Sequence, residues 1–195
     1  MGQYYKPLSL DNKEYLISFD YGNGLKLMEH SYVGNAFVYE VISLLMTSWK
    51  GHRVVWSGDY SDNAEYEWNE SIFSKITPRT FDFKKEERVG FDSFELSYLG
   101  VKTLNDFVLK TSQSYVFVNY DEKIYCTLDC CSSKDGWQIS PVPLLLANSN
   151  GRGGGDYTLE NECVGSWAYD RVGVIHKNEL PSDFIKITYN FELDW

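Results

Sequence analysis

The stretch SYVFVNYDEKIYCTLDC, residues 114–130, decides the fold class of this chain. Two short runs rich in β-branched and aromatic residues lie on either side of the polar tripeptide Asp121-Glu122-Lys123. Residues of these types favour strands, and a short polar break between two such runs is typical of a β-hairpin. We therefore predict two antiparallel strands joined by a tight turn at this place.

Three further segments have the composition of strands. The segments KEYLISF at 13–19 and RVVWSG at 53–58 are short, apolar-rich runs bounded by turn residues. The segment FIKITYNFEL at 184–193 alternates between apolar and polar residues, which is typical of a strand with one solvated face. Because it has the cleanest polar face of the predicted strands, we expect it to be an outer strand.

One long helix is predicted at about 33–49. Its more polar residues recur every four positions, at Asn35, Tyr39, Ser43 and Thr47, and nearly all the other positions are apolar. A helix with so narrow a polar stripe is largely buried, so we expect it to lie across one face of a sheet. Gly51 is predicted to cap its carboxyl end.

The number of predicted strands and the hairpin length of their connections favour an α+β fold. We expect an antiparallel sheet with one main buried helix, at about 33–49, packed on it. The length of 195 residues suits a single domain spanning 1–195. The sequence shows no linker and no internal repeat.

The charge balance limits the choice of partners. Asp and Glu number 28 against 18 Lys and Arg, which gives a net charge of −10. Phosphate binding depends on Lys and Arg, so we expect no direct binding to nucleic acid, and a basic protein is the better partner. The same charge also keeps a protein soluble. No secretion signal and no apolar stretch of membrane-spanning length occur, which predicts a cytoplasmic protein with reduced cysteines and no membrane contact.

The segment DYSDNAEYEWNE, residues 59–70, is a candidate partner-binding surface, and we call it the acidic segment. It contains five acidic residues, no basic residue, and aromatic side chains among the acids. Acids attract a basic partner, and aromatic side chains supply the buried contacts that charge alone does not. The alternative is a solvated acidic loop. The candidate residues are Asp59, Asp62, Glu65, Tyr66, Glu67, Trp68 and Glu70.

Four cysteines are candidate zinc ligands: Cys126, Cys130, Cys131 and Cys163. Cys126 and Cys130 lie four residues apart in a predicted strand, which separates their Cα atoms by about 13 Å. They can share a metal ion only if the strand ends or bends before Cys130. The alternative is that the cysteines are buried thiols that act as small apolar side chains.

The glycine-rich stretch NGRGGGDY, residues 150–157, raises the question of an anion site. It lacks the lysine and the following helix of a phosphate-binding loop, although Arg152 has the fork geometry that binds carboxylates and phosphates. The alternative is a turn that exploits the free backbone of glycine. No nucleophile elbow or H-E-x-x-H motif occurs, so a binding protein is favoured over an enzyme. A small-ligand pocket or an enzyme site remains the alternative function, built from the turn residues Asp20, Glu29, His30, Asp59, Arg152 and Asp156.

Six motifs together resemble a family of small proteins found in phages, prophages and Gram-positive bacteria: MGQYYKP at 1–7, DYGNGLKLMEHS at 20–31, RVVWSGDY at 53–60, WQISPVPLL at 137–145, NGRGGGDY at 150–157 and VGSWAYD at 164–170. The resemblance implies an accessory protein of a mobile element that acts in the host cytoplasm, and it implies no particular chemistry. In size and charge, the chain is also similar to inhibitors of bacterial defence nucleases such as anti-CRISPR proteins. This similarity implies a stoichiometric inhibitor of a basic, nucleic-acid-handling host protein, for example a CRISPR–Cas effector with its positively charged channel.

Overall fold

The computed structural model describes residues 3–76, 81–82, 87–88, 111–129, 131–132, 138–149 and 163–189. The strands are β1 (Tyr5–Ser9), β2 (Glu14–Tyr15), β3 (His52–Gly58), β4 (Ser74–Lys75), β5 (Phe81–Asp82), β6 (Glu87–Arg88), β7 (Tyr115–Asn119), β8 (Ile124–Thr127), β9 (Cys131–Ser132), β10 (Gln138–Ile139), β11 (Ala147–Asn148), β12 (Arg171–His176) and β13 (Ile185–Lys186). The α-helices include α1 (Leu27–His30), α2 (Ala36–Met46), α3 (Ala64–Glu67) and α4 (Pro141–Leu146), and 3₁₀ turns cover Ser18–Tyr21 and Lys177–Glu179. Residues 111–114 are also helical.

One large sheet organises the chain and confirms the α+β class. Its strand order is β13-β8-β7-β12-β3-β1-β2-β4, and β11 also pairs with β3. The sheet is mixed rather than purely antiparallel, because β13 runs parallel to β8, β4 to β2, and β11 to β3. None of these three pairs is joined by a tight hairpin, which would impose an antiparallel direction.

The predicted main helix is confirmed as α2, but it is shorter than 33–49. It begins after Asn35, whose side-chain oxygen accepts hydrogen bonds from the N–H groups of Phe37 and Val38. It ends at Met46 with Thr47 at the cap position, so the prediction that Gly51 is the cap is wrong. Most of α2 is buried, as predicted, and its apolar side chains form the main core with the facing strands and α4.

Other sequence predictions are met in part. The hairpin is confirmed as β7 and β8, and RVVWSG lies within β3. Of KEYLISF, only Glu14–Tyr15 is a strand, because the chain turns into the 3₁₀ segment Ser18–Tyr21, where the Ser18 hydroxyl donates to the Gly24 carbonyl at 2.7 Å. Of residues 184–193, Ile185–Lys186 forms a strand at the end of the sheet, as expected for an outer strand.

From either edge of the sheet to its centre, the strands follow the same order of roles: an edge strand, the second and first strands of a hairpin, and a third strand. This order reveals an internal repeat that the sequence did not show. The first repeat consists of the hairpin β1–β2, the third strand β3 and the parallel edge strand β4. The second repeat has β7–β8, β12 and β13 in the same roles. The third strands β3 and β12 pair antiparallel with Arg53 opposite Arg171, so an approximate two-fold axis passes through this pair.

Equivalent hydrogen bonds support the repeat. The central turns are related, because Gly51 N–H donates to Val172 O at 2.8 Å and Tyr169 N–H donates to Val54 O at 2.9 Å. Three further contacts of the first repeat have counterparts in the second. The hydrogen bond from Leu10 N to Arg53 O (2.9 Å) corresponds to that from Tyr120 N to Arg171 O (2.8 Å), and the one from Ser74 N to Lys13 O (2.8 Å) to that from Ile185 N to Lys123 O (3.0 Å). The contact between Ser9 Oγ and His52 Nδ1 (3.1 Å) corresponds to the hydrogen bond from Asn119 Nδ2 to Asp170 Oδ2 (2.7 Å).

Short sequence matches agree with these contacts. The residues SWKGHRV at 48–54 align with SWAYDRV at 166–172, and FSKIT at 73–77 aligns with FIKIT at 184–188. The aligned tryptophans Trp49 and Trp167 are both almost fully buried. The matches lie at different spacings in the two halves, which is why no single sequence period displays them.

An aspartate at each hairpin turn holds the third strand of its own repeat. Asp11 accepts hydrogen bonds from the backbone N–H and the guanidinium of Arg53, both at 2.7 Å. Asp121 does the same with Arg171, at 2.7 and 2.6 Å. The hydrogen bonds from these arginine side chains lower the pKa of both carboxyl groups below the usual aspartate value. The two clamps are equivalent under the repeat.

The clamps predict that Asp11→Ala and Asp121→Ala destabilise the fold by similar amounts, about 1 kcal/mol each after screening by water. A carboxyl group with a lowered folded-state pKa stabilises the protein above its unfolded pKa, and this contribution is lost as the pH falls through the folded value. Urea denaturation followed by tryptophan fluorescence should show the difference from wild type at pH 7 and a difference that shrinks as the pH is lowered below 3.8. Glu122→Ala, at the exposed neighbouring turn position, is the control. A difference that does not shrink on acidification would contradict this role.

Candidate functional site

The two repeats differ most in the connections between their strands. The acidic segment and the glycine-rich stretch both lie in such connections. The connection from third strand to edge strand is residues 59–73 in the first repeat and the much shorter 177–184 in the second. The acidic segment fills most of this longer connection. The glycine-rich stretch, residues 150–157, lies in the long connection that precedes β12, and it falls outside the described residues together with Arg152 and Asp156.

The acidic segment presents several of its predicted residues to solvent. Asp62, Glu65 and Glu70 are exposed, and the ring of Tyr66 is exposed on 54% of its surface. Tyr60, in the same segment, is 45% exposed but was not among the predicted residues.

Asp59 connects the acidic segment to the start of the chain. Its carboxylate accepts a hydrogen bond from the Tyr4 N–H at 3.0 Å, and its own N–H donates to the Tyr4 carbonyl at 2.9 Å. This places Tyr4, which is 45% exposed, beside the acidic segment. Sequence reasoning missed Tyr4 because only the pairing of β1 with β3 brings it there.

Glu67 does not belong to the exposed surface that the sequence predicted. It is only 3% exposed, and its carboxylate accepts hydrogen bonds from the Ser57 and Tyr169 hydroxyl groups. The helical turn α3 explains the difference, because residues three apart lie on one side of a helix. Ala64 and Glu67 therefore face the fold, while Glu65 and Tyr66 between them are exposed.

Trp68 and Glu70 are used within the fold to enclose a lysine. The Lys6 Nζ atom lies 4.2 Å from the centre of the Trp68 ring and 4.6 Å from that of Tyr15, and the Glu70 carboxylate is 4.0 Å away. The Lys6 side chain is 7% exposed, and burial is the main cause that lowers its pKa. The cation–π contact between Lys6 and Trp68 fastens the acidic segment to β1, so the Trp68 ring is engaged internally.

Tyr169 joins the acidic segment to the rest of the site. Its hydroxyl accepts hydrogen bonds from the side-chain amides of Asn63 at 3.1 Å and Asn148 at 2.5 Å, and it donates to Glu67. Burial is the main cause that raises the pKa of this hydroxyl to about 12, so it is protonated at neutral pH. Sequence reasoning missed Tyr169, since its partners are distant in sequence.

The four described members of the predicted polar pocket each contact a different group of the fold. Asp20 makes an ion pair with Lys75 at 2.7 Å, and Glu29 is exposed and accepts a hydrogen bond from the Lys26 N–H at 3.0 Å. Asp59 contacts Tyr4, and His30 lies fully inside the core. Each of the four has a partner of its own within the fold, and a shared ligand pocket stays a prediction.

His30 is a neutral core residue. Trp56 Nε1–H donates to His30 Nε2 at 3.0 Å, so Nε2 carries no proton, and His30 Nδ1–H therefore donates to the Gly24 carbonyl at 3.2 Å. The ring packs against Phe37 and Trp56, with centroid distances of 5.2 and 5.6 Å. Burial lowers the pKa of His30 to about 4. This histidine stabilises the packing of α1 on β3.

The cysteine positions limit the zinc hypothesis without deciding it. Cys126 is fully buried in the main core, and Cys163 is half-buried and packs against the same core. Cys131 lies in β9, and Cys130 lies outside the described residues. Among the described side chains, no group of three or more His, Cys, Asp or Glu residues is arranged to hold a metal ion. Zinc binding stays a prediction, and elemental analysis of wild type and Cys126→Ser tests it.

Comparison with known proteins adds no evidence on function. No protein-family model, curated protein or solved structure matches this chain. Within the described residues, no helix is both long and apolar enough to cross a lipid bilayer. The function is therefore argued from the acidic segment and the residues that hold it.

The buried, neutral state of His30 predicts a distinct pH dependence of stability. The ordinary histidine pKa is 6.5 and the folded value is about 4. The unfolded chain therefore takes up the proton first as the pH falls, and stability decreases below pH 6.5 by about 1.4 kcal/mol per pH unit until pH 4. In His30→Gln, the loss of stability that His30 causes between pH 6.5 and pH 4 should vanish. Urea denaturation at pH 7 and pH 5 measures the free energy of unfolding of both proteins.

The matched control for this experiment is His52→Gln, because His52 is only partly buried whereas His30 is fully buried. We expect the control to keep the slope of the wild type. An unchanged slope in His30→Gln would show that another group controls stability in this pH range.

Proposed function

We propose that this protein is a stoichiometric binding protein of a phage or mobile element that inhibits a basic, nucleic-acid-handling protein in the bacterial cytoplasm. A CRISPR–Cas effector is the target class that best fits its acidity. The observation that supports the proposal is that the acidic segment is held in one conformation by the fold while its exposed acids and tyrosines face solvent.

The anchoring of the acidic segment favours binding. Contacts at Asp59, Glu67 and Trp68 fix the segment at its start, middle and end. A segment that is already ordered loses little conformational entropy when a partner binds, so more of the contact energy appears as affinity. The exposed residues Asp62, Glu65 and Tyr66 lie between these anchors and are available to a partner.

The chemistry of the exposed residues favours a basic protein as the partner. Carboxylates steer a basic surface into contact and repel nucleic acid. Tyrosines bury large rings at low entropic cost and are frequent in the centres of protein interfaces. Tyr4, Tyr60 and Tyr66 supply such rings beside the acids. The proposed interface thus consists of Tyr4, Tyr60, Asp62, Glu65 and Tyr66, with Glu70 at its border.

The double variant Asp62→Lys/Glu65→Lys tests this proposal, because it reverses two exposed charges and leaves the anchoring residues intact. The variant should lower the affinity for the partner at least tenfold at low salt and flatten its salt dependence. Pull-down from lysate of a host bacterium identifies proteins retained by wild type and lost by the variant. Titration into a cleavage assay with a purified, guide-loaded CRISPR–Cas effector should show inhibition that saturates near one inhibitor per effector.

A control with the same change of net charge is Glu122→Lys/Asp129→Lys, which alters exposed acids around the second hairpin. We expect it to bind and inhibit like wild type. If both double variants weaken binding equally, overall charge is responsible and the acidic segment is not the interface. If no basic protein depends on Asp62 and Glu65, the proposed function is wrong.

A further inference from the structure

We infer that Tyr169 is the positioning residue of the acidic segment: its hydroxyl sets the conformation in which Glu65 and Tyr66 are presented. This inference rests on the proposed function for its consequence in binding. Its structural part concerns the free protein and is tested separately.

The Tyr169 hydroxyl is the point at which three parts of the chain meet. Asn63 and Glu67 belong to the acidic segment, Asn148 belongs to β11, and Tyr169 itself lies in the turn before β12. The hydroxyl uses its single proton and accepts two further hydrogen bonds, so its hydrogen-bonding capacity is filled. Because Asn63 lies just before α3 and Glu67 ends it, one atom holds both ends of this helical turn.

The backbone of Tyr169 indicates that its side chain is required. Its φ angle is +72°, a left-handed conformation that costs a residue with a bulky side chain free energy. The equivalent residue of the first repeat is Gly51, which adopts φ +79° without that cost. A tyrosine in a position suited to glycine is explained by the contacts of its side chain, which the glycine of the first repeat cannot make.

The Tyr169 backbone also ties these contacts to the most central part of the sheet. Its N–H donates to the Val54 carbonyl at 2.9 Å, beside the pair of Arg53 and Arg171 on the pseudo-two-fold axis. The central sheet thus fixes the position of the Tyr169 hydroxyl, and Glu67 bonds the acidic segment to this hydroxyl. Since Glu65 and Tyr66 lie on the opposite side of the same helical turn, a shift of Glu67 displaces both.

Tyr169→Phe tests the inference, because it removes one oxygen atom and keeps the ring. Loss of a donor to a buried carboxylate favours local opening of α3. Amide hydrogen exchange by NMR should therefore become about tenfold faster at Tyr66, Glu67 and Trp68, whose N–H groups bond within this turn. Exchange in β7 and β12 should change little, which shows that the fold is retained.

Tyr189→Phe is the matched control. It removes a tyrosine hydroxyl that accepts a hydrogen bond from Trp167 Nε1 at 2.8 Å, away from the acidic segment. We expect exchange in α3 to remain at the wild-type rate in this variant. Unchanged exchange in α3 of Tyr169→Phe would overturn the inference, whatever the partner of the protein is.

A measurement of binding affinity distinguishes this inference from the proposed function. With a partner whose affinity depends on Asp62 and Glu65, Tyr169→Phe should weaken binding about tenfold although every contact residue is present. Faster exchange without weaker binding would show that Tyr169 orders α3 but does not position the interface. Absence of any partner that depends on Asp62 and Glu65 would overturn the proposed function and leave the exchange result valid.

Discussion

The antiparallel pairing of β3 with β12 is the contact on which the rest of this structure depends. It joins two repeats of the same architecture, and the hydrogen bonds of Gly51 and Tyr169 close it from both sides. Its centre places two arginines opposite each other, an arrangement that repulsion would destabilise. Asp11 and Asp121 resolve this conflict, because each pairs with the arginine of its own repeat and ties a hairpin to the central strands.

The repeat also shows which parts of the chain the two halves share and which parts they do not. The two halves agree in the hairpins, the third strands and the aligned tryptophans, so the same strand pairing and packing occur in both repeats. The halves depart from each other in their connections, one of which contains the acidic segment. This connection is longer than its counterpart in the second repeat, which delivers β13 to an equivalent place beside β8.

Much of the fold could be predicted from local sequence. The hairpin β7–β8, strand β3 and helix α2 follow from periodicity and turn residues, which depend on neighbours along the chain. The parallel edge pairs, the internal repeat and strand β1 could not be predicted in this way, since they depend on contacts between distant residues. For the candidate site, composition identified the acidic segment, but it could not separate the exposed Glu65 from the buried Glu67 two residues later.

Glu67, Trp68 and Lys6 explain why composition was ambiguous at this site. A stretch of acids and aromatics has the same composition whether it meets a basic partner or a basic residue of its own fold. Here the basic residue is Lys6, which contacts the Trp68 ring and the Glu70 carboxylate, while the Ser57 and Tyr169 hydroxyls donate hydrogen bonds to Glu67. What these contacts leave exposed is a smaller set of acids and tyrosines in a fixed arrangement. The internal contacts are therefore compatible with the proposed interface, because they order the segment and leave these side chains exposed.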